Sequence, residues 1–213
     1  MDIYADPITV NCRKVFAGLQ MMGISYDQHH VDYFTAQQKS PEYTAINPNQ
    51  SLPAMVDGDL TLWESNAILQ YAADKNGKDA FYPHDAKTRS DINRWMFWES
   101  AQWFPSTYVY LVENCVKPVL GAEPDPAILA GERERFDRLA GILNDRLAGR
   151  DYIMGDSITI ADIAVAAPMH LHGWQQLPLD NYPNIVAWMK RIEAQPFWKA
   201  THVAEGFKFE PQA

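Results

Sequence analysis

The 213-residue sequence has few cysteines, no long apolar run and no excess of basic residues. Its two cysteines, Cys12 and Cys115, lie far apart and lack metal-ligand spacing. They therefore predict neither a disulfide framework nor a metal site, and they favour a reducing, cytoplasmic setting. No apolar stretch approaches the roughly 18 residues of a membrane span, and the first four residues do not resemble a secretory signal.

Charge narrows the class of partner. The formal net charge is −9, with 5 Lys/Arg against 10 Asp/Glu in residues 1–80 and 13 against 17 in residues 81–213. Neither half is basic, so nucleic acid is not expected as a partner. An anionic ligand would have to be held by local features, such as helix termini and a few cations, because the overall field is negative.

The first 80 residues alternate between strand and helix patterns. Residues 2–5 and 25–32 read as strands, and Val15, Phe16, Leu19 and Met22 recur at helical spacing between them. Two further short strands flank Asp57-Gly58-Asp59, which is a hairpin signal, and a helix pattern follows from Ser65. The order β-α-β-α-β-β-α predicts an α/β, thioredoxin-like domain with a mixed four-stranded sheet.

After a linker at residues 77–86, the patterns are helical only. Helices are expected at about 86–117, 125–149, 159–175, 183–195 and 196–203. Pro105 is expected to kink or interrupt the first of these helices. Thr159 and Asp162 form a capping box at the start of the third. The sequence therefore predicts two domains, residues 1–80 (α/β) and residues 86–213 (all-α).

Two short motifs suggest a ligand site in the first domain. Pro53 has no N–H and can hold a cis bond, which would turn the backbone of Leu52 outward toward a ligand. Glu64-Ser65 begins a helix, whose N-terminus offers N–H groups, a hydroxyl and positive dipole character to a carboxylate. Together they predict a clamp for an extended, peptide-like anion.

In this order and spacing, Leu52-Pro53, Asp57-Gly58 and Glu64-Ser65 resemble the glutathione-binding half of the glutathione S-transferases. The resemblance extends over nearly the whole chain, because the Thr159–Asp162 box resembles one in the helical domain of that family. It implies a cytoplasmic homodimeric enzyme that joins glutathione to a small apolar electrophile, without a metal. Glutathione-dependent peroxidase or disulfide reductase chemistry, and a non-catalytic binding module on the same fold, remain as alternatives.

Three residues of the first loop compete for the sulfur of glutathione. A hydroxyl or amide N–H that donates to the sulfur would favour the thiolate, which is the nucleophile. The resemblance places Thr9 where serine-type members carry their catalytic hydroxyl, and Thr9-Val10-Asn11 is similar to a Thr-x-Asn pair of bacterial relatives. Cys12 could instead form a mixed disulfide. Alternatively, Thr9 or Asn11 only caps the following helix.

The resemblance also implies binding roles for other residues. Ser65 would bind the γ-glutamyl carboxylate, Glu64 the ammonium group, and the backbone of Leu52 the cysteinyl part. The remaining contacts to glutathione would come from Gln38, Lys39 and Ser51, beside Pro53. The electrophile pocket would be lined by Trp103, Phe104 and Tyr108.

Overall fold

The computed structural model describes residues 1–202, and they form two compact units. The first unit contains residues 1–85 together with the short helix from Pro196, and the second begins at Ala86 and runs to Gln195. The boundary lies in the predicted linker. Of the helix expected at 196–203, residue 203 lies outside the described residues, as do residues 204–213 of the predicted second domain.

The first unit is an α/β domain with the predicted order of elements. Its elements are β1 (Asp2–Ala5), α1 (Val10–Met21), β2 (Asp27–His30), α2 (Pro41–Ile46), β3 (Ala54–Asp57), β4 (Leu60–Trp63) and α3 (Ser65–Lys75). A single 3-10 turn at Gln37–Lys39 precedes α2. The second strand is shorter than the predicted 25–32.

The four strands form one mixed sheet in the order β2-β1-β3-β4. β1 pairs in parallel with β2 and antiparallel with β3, and β3 pairs antiparallel with β4 around the predicted hairpin. Ile3, Ala5 and Met55 are fully buried in the core of this unit. α1 packs closely against α3, because Gly18 has no Cβ and Leu69 occupies the space where one would stand. The sheet and these helices give the loop after β1 a rigid support.

A short helix near the end of the described residues, α10 (Pro196–Ala200), also belongs to the first unit. Its position differs from the predicted domain assignment. The sequence placed residues 196–203 in the all-helical part, but α10 packs on α1. Arg13 is buried there: it donates to the carbonyls of Trp198 and Thr201, and its guanidinium lies 4.4 Å from the centre of the Trp198 ring. A cation with hydrogen-bonding and aromatic partners at this point holds α10 against α1.

The second unit is all-helical within the described residues. It contains α4 (Ala86–Trp98), α5 (Phe104–Leu111), α6 (Lys117–Val119), α7 (Pro126–Leu147), α8 (Ile160–Ala166) and α9 (Pro183–Glu193). Wide π-helical turns at Glu99–Trp103 and Val112–Val116 join α4, α5 and α6 into one helical run. Pro105 and Pro118 follow these turns, and a proline ring displaces the carbonyl four residues before it. The expected disturbance at Pro105 is therefore present.

The helix predicted at 159–175 is shorter in the structure. α8 ends at Ala166, a 3-10 turn covers Ala167–Met169, and turns follow, with Pro168 inside the 3-10 turn. The capping box forms as predicted, with the N–H and the hydroxyl of Thr159 donating to Asp162 at 2.8 and 3.2 Å. Asp162 also accepts from Ile153 N–H and from the indole of Trp188, so it joins three segments of the helical core.

Among residues 1–202, none of the helices combines the length and apolar character that a bilayer crossing requires. The same residues contain no cluster of three or more His, Cys, Asp or Glu side chains suited to a metal ion.

Candidate active site

Thr9 lies at the N-cap position of α1 with extended backbone dihedrals. Its N–H and its hydroxyl both donate to the carbonyl of Asp6 at 3.1 Å. Within the described residues its side chain makes no capping bond to the helix, so the alternative of a simple cap does not describe it. A half-buried hydroxyl that donates to a main-chain carbonyl can rotate to a nearby ligand.

Cys12 points into the interior. The side chain is fully buried, and burial raises the pKa of its thiol to about 12, although the adjacent Thr9 hydroxyl acts in the opposite direction. A buried thiol with so high a pKa is neutral at physiological pH and is a poor nucleophile. The geometry therefore disfavours the mixed-disulfide alternative at Cys12.

Asn11 and Ser65 meet although they are 54 positions apart. Asn11 is in the first turn of α1, Ser65 is the first residue of α3, and the Ser65 hydroxyl donates to the Asn11 side-chain oxygen at 3.3 Å. The close packing of α1 on α3 brings the two helix starts together. The residue expected to bind a carboxylate thus adjoins the loop expected to bind a sulfur.

Glu64 and Ser65 lie at the N-terminus of α3. Glu64 occupies the N-cap position with φ of 73° and an exposed side chain, so the chain turns sharply into the helix there. The first N–H groups of a helix have no acceptor within that helix, and the helix dipole adds positive potential beside them. Ser65 and this helix start can therefore hold a carboxylate, while Glu64 can face a cationic group.

The segment before β3 is fixed by hydrogen bonds. The Leu52–Pro53 peptide bond is cis, and both residues are buried immediately before β3 begins. The carbonyl of Ser51 accepts from the Tyr43 hydroxyl at 2.6 Å and from the Asn47 side-chain amide at 2.7 Å. Two strong bonds to one carbonyl fix the path of the backbone into Leu52.

Gln38 and Lys39 lie in the 3-10 turn before α2 and differ in exposure. Lys39 is exposed, whereas Gln38 is 6% exposed, and its side-chain oxygen has no hydrogen-bond partner among the described residues. A buried amide oxygen without a partner is costly. Gln38 is therefore better suited than Lys39 to receive a hydrogen bond from a ligand.

The three aromatic residues predicted for the electrophile pocket separate in the structure. Phe104 and Tyr108 stack one helical turn apart, with ring centroids 5.3 Å apart, and Tyr108 is 41% exposed. Trp103 is fully buried, stacks on Trp98, and donates from its indole to Val165. Trp103 is thus corrected to a core residue of the helical unit, because no part of its side chain is open to a ligand.

Three supporting residues were not predicted from the sequence: Asp6, Tyr43 and Asn47. Asn47-Pro48 is a turn-forming pair, and an asparagine before a turn often bonds to its own backbone; here Asn47 accepts from the N–H of Asn49 at 3.0 Å. That signal could have marked Asn47. Asp6-Pro7 is a similar turn-forming pair, and the Asp6 carboxylate accepts from the N–H of Ile8, so the same signal could have marked Asp6. The bonds from Tyr33 to Asp6 and from Tyr43 to Ser51 join residues further apart and have no such signal.

The first unit is α/β, with a cis proline and a helix N-terminus in its candidate site, and an all-helical unit follows it along the chain. This combination defines the class of protein. The family model of the glutathione S-transferase N-terminal domain matches residues 3–74, and that of the C-terminal domain matches residues 116–196. The chain belongs to the glutathione S-transferase family.

Individual relatives agree over almost the full chain. A probable glutathione S-transferase GSTF2 of Oryza sativa subsp. japonica is 31% identical over 199 residues, covering 92% of this chain and 93% of that protein. Glutathione S-transferase I from maize, solved with an atrazine–glutathione conjugate, superposes with a TM-score of 0.84 at 26% identity, over 94% of this chain and 95% of its own. A glutathione transferase from Burkholderia graminis, with two glutathione molecules bound per subunit, has a TM-score of 0.83 at 29% identity, over 94% and 86%.

Proposed function

We propose that this protein is a glutathione transferase, which activates the thiol of glutathione and joins it to an apolar electrophile. The observation that carries the proposal is the 3.3 Å contact between Ser65 and Asn11. It supports the proposal because it joins the start of α3, which would bind a carboxylate, to the loop of Thr9 and Asn11, which would bind the sulfur. A γ-glutamyl-cysteinyl peptide carries both groups, a carboxylate and a thiol.

Glutathione would be held mainly by the first unit. Ser65 and the start of α3 receive the γ-glutamyl carboxylate, and Glu64 faces its ammonium group. The backbone of Leu52, before the cis Pro53, pairs with the cysteinyl residue. Gln38, Lys39 and Ser51 complete the contacts, and the buried, unpartnered oxygen of Gln38 supports its role. No metal takes part in the proposed chemistry.

Thr9 is proposed as the principal donor to the sulfur, with Asn11 as the second. Their O–H and N–H groups lower the thiol pKa, which is about 8.5 when unperturbed, by stabilising the thiolate. The thiolate then attacks an electrophilic carbon: a carbon–sulfur bond forms, and the leaving group departs with its electron pair. The enzyme contributes positioning and preorganised donors.

The electrophile is proposed to be apolar, because Phe104 and Tyr108 present a stacked aromatic pair on the helical unit. Aromatic faces bind flat, apolar molecules without requiring a fixed hydrogen-bond pattern. A cytosolic setting is part of the proposal, and the two free, buried cysteines support it. A homodimer is also proposed, and sedimentation equilibrium tests it: a mass equal to one chain at all concentrations would contradict it.

The proposed function is tested by calorimetric titration with glutathione, followed by a chlorodinitrobenzene conjugation assay. We expect saturable binding and turnover. Thr9→Ala and Asn11→Ala should each lower kcat, the Thr9 change by more, and raise the pKa of the bound thiol. Thr61→Ala, at an exposed position of β4, is the matched control for Thr9→Ala. No binding at millimolar glutathione would remove the proposal, and binding without turnover across electrophiles would favour a non-catalytic module.

Disulfide reduction is the second candidate function. The relative from Burkholderia graminis, 29% identical, holds two glutathione molecules per subunit, and reduction of a disulfide by thiol–disulfide exchange consumes two thiols. One glutathione thiolate would attack the substrate disulfide and release one substrate thiolate. The second would attack the mixed disulfide, release the other substrate thiolate and form oxidised glutathione. Turnover of hydroxyethyl disulfide that exceeds conjugation, and that persists in Cys12→Ala, would favour this reaction.

A further inference from the structure

Asp6 is a nearly buried carboxylate at the end of β1, with 7% of its surface exposed. One carboxylate oxygen accepts from the N–H of Ile8 at 3.1 Å. The other accepts from the N–H of Tyr33 at 3.0 Å, 27 positions further along the chain. A single side chain therefore fixes the thiol-binding loop and the loop after β2 at the same time.

The main chain of Asp6 completes the arrangement around Thr9. Its carbonyl accepts from both the N–H and the hydroxyl of Thr9, each at 3.1 Å. The bond to Ile8 closes a side-chain turn of the kind that aspartates commonly form, and the bond to Thr9 closes a main-chain turn over residues 6–9. The position of the Thr9 hydroxyl thus depends on the turn that the Asp6 carboxylate stabilises.

We propose that Asp6 is a positioning residue for thiol activation: its carboxylate, through the N–H of Ile8, stabilises the main-chain turn over residues 6–9 and so places the Thr9 hydroxyl to donate to the sulfur of glutathione. The role rests on the proposed function. Asp6 acts through Thr9 and is not itself a catalytic residue. On binding, the Thr9 hydroxyl rotates from the Asp6 carbonyl to the sulfur, while the carbonyl keeps the N–H of Thr9.

If Asp6 acted only through its charge, its removal would change the thiol pKa in the opposite direction. A negative charge close to a thiol disfavours the thiolate, so removal of the charge alone would lower the thiol pKa. On β2, the Nε2 atom of His30 lies 3.9 Å from a carboxylate oxygen of Asp6, and a protonated His30 would offset part of the negative charge. The direction of the pKa change in variants therefore separates positioning from charge.

Three variants make the distinction. Asp6→Ala removes both acceptors. Asp6→Asn removes the charge but keeps an oxygen for the N–H of Ile8, so it preserves the local turn and loses the bond to Tyr33. Asp2→Asn is the matched control, because it removes a charge from the same strand at a half-exposed pair with His29.

The readouts are the pKa of the bound glutathione thiol, from the ultraviolet absorbance of the thiolate, and the Kd for glutathione from calorimetry. We expect Asp6→Ala to raise the bound thiol's pKa by about one unit, which is about tenfold less thiolate below that pKa. The Kd should change by less than about threefold, because the carboxylate-binding residues are untouched. Asp6→Asn should largely restore the thiol pKa, and Asp2→Asn should leave it unchanged.

A folded Asp6→Ala variant with an unchanged or lowered thiol pKa overturns the positioning role. If Asp6→Ala does not fold, Asp6→Ser takes its place: its shorter hydroxyl makes a weaker turn, so the pKa must still rise, and no rise overturns the proposal. Failure of the wild-type protein to bind glutathione would instead overturn the proposed function, and this role with it. Normal wild-type binding with no effect at Asp6 would contradict the positioning role alone.

Discussion

The hydroxyl of Tyr43 donates to the carbonyl of Ser51 across 2.6 Å, from the second helix to the segment that precedes the cis proline. The Asn47 amide shares the same acceptor at 2.7 Å. Because these bonds hold the chain directly before Leu52, they couple the packing of α2 to the shape of the proposed glutathione site. We therefore expect Tyr43 and Asn47 to influence the affinity for glutathione.

Loss of the Tyr43 hydroxyl should weaken glutathione binding without affecting the chemical step. Tyr43→Phe removes one bond and is expected to cost about 1 kcal/mol of stability. The KM for glutathione should rise several-fold while kcat stays near the wild-type value, as steady-state kinetics would show. Tyr33→Phe, at an exposed tyrosine, is the control. A fall in kcat at unchanged KM would contradict the assignment.

Ser65 is predicted to contribute most to the affinity for glutathione. Ser65→Ala removes the proposed hydrogen bond to a carboxylate, which is worth roughly 1.5–3 kcal/mol, so Kd should rise roughly 10- to 150-fold by calorimetry. Ser90→Ala, at an exposed position of α4, provides a matched serine deletion. Equal affinities for the Ser65 and Ser90 variants would rule out the carboxylate contact.

Alkaline pH should destabilise the fold through its two buried thiols. Burial raises the pKa of Cys12 to about 12 and that of Cys115 to about 11, whereas an unfolded thiol ionises near 8.5. Between these values the folded state binds more protons, so the free energy of unfolding decreases as pH rises. The decrease approaches about 1.4 kcal/mol per pH unit for each thiol as an upper limit.

Urea unfolding between pH 8 and 10 measures this effect. The Cys12→Ala/Cys115→Ala variant should lose less stability over that range than the wild-type protein. Parallel pH profiles for the two proteins would be inconsistent with buried, neutral thiols. In addition, Ellman's reagent should react with neither cysteine in the native state and with both after unfolding.

Asp162 is predicted to be essential for the stability of the helical unit. Asp162→Ala leaves the N–H groups of Ile153 and Thr159 and the indole of Trp188 without their acceptor inside the core. The expected loss is roughly 3 kcal/mol or more in the free energy of unfolding, measured by urea denaturation. Asp156→Ala, at an exposed aspartate, should change it little. A similar loss in both variants would show that Asp162 has no special role.

The order of elements, the hairpin, the capping box and the disturbance at Pro105 followed from the sequence. Each of these depends on residues within about four positions of one another, where turn chemistry, capping and the period of apolar residues act directly. Helix ends were less certain. The helix predicted to reach residue 175 stops at Ala166, because Pro168 and the packing of the segment after it favour turns.

The sequence by itself determined the two-part architecture and the motifs Leu52-Pro53 and Glu64-Ser65, whose meaning is local. Only the tertiary structure decided that Ser65 reaches Asn11, that Asp6 joins the loop of Thr9 to that of Tyr33, that Cys12 and Trp103 are buried, and that α10 packs on α1. These relationships depend on which faces of distant segments meet when the core closes. The local sequence pattern of each segment is compatible with several arrangements. The close packing of side chains in the core decides which of them forms.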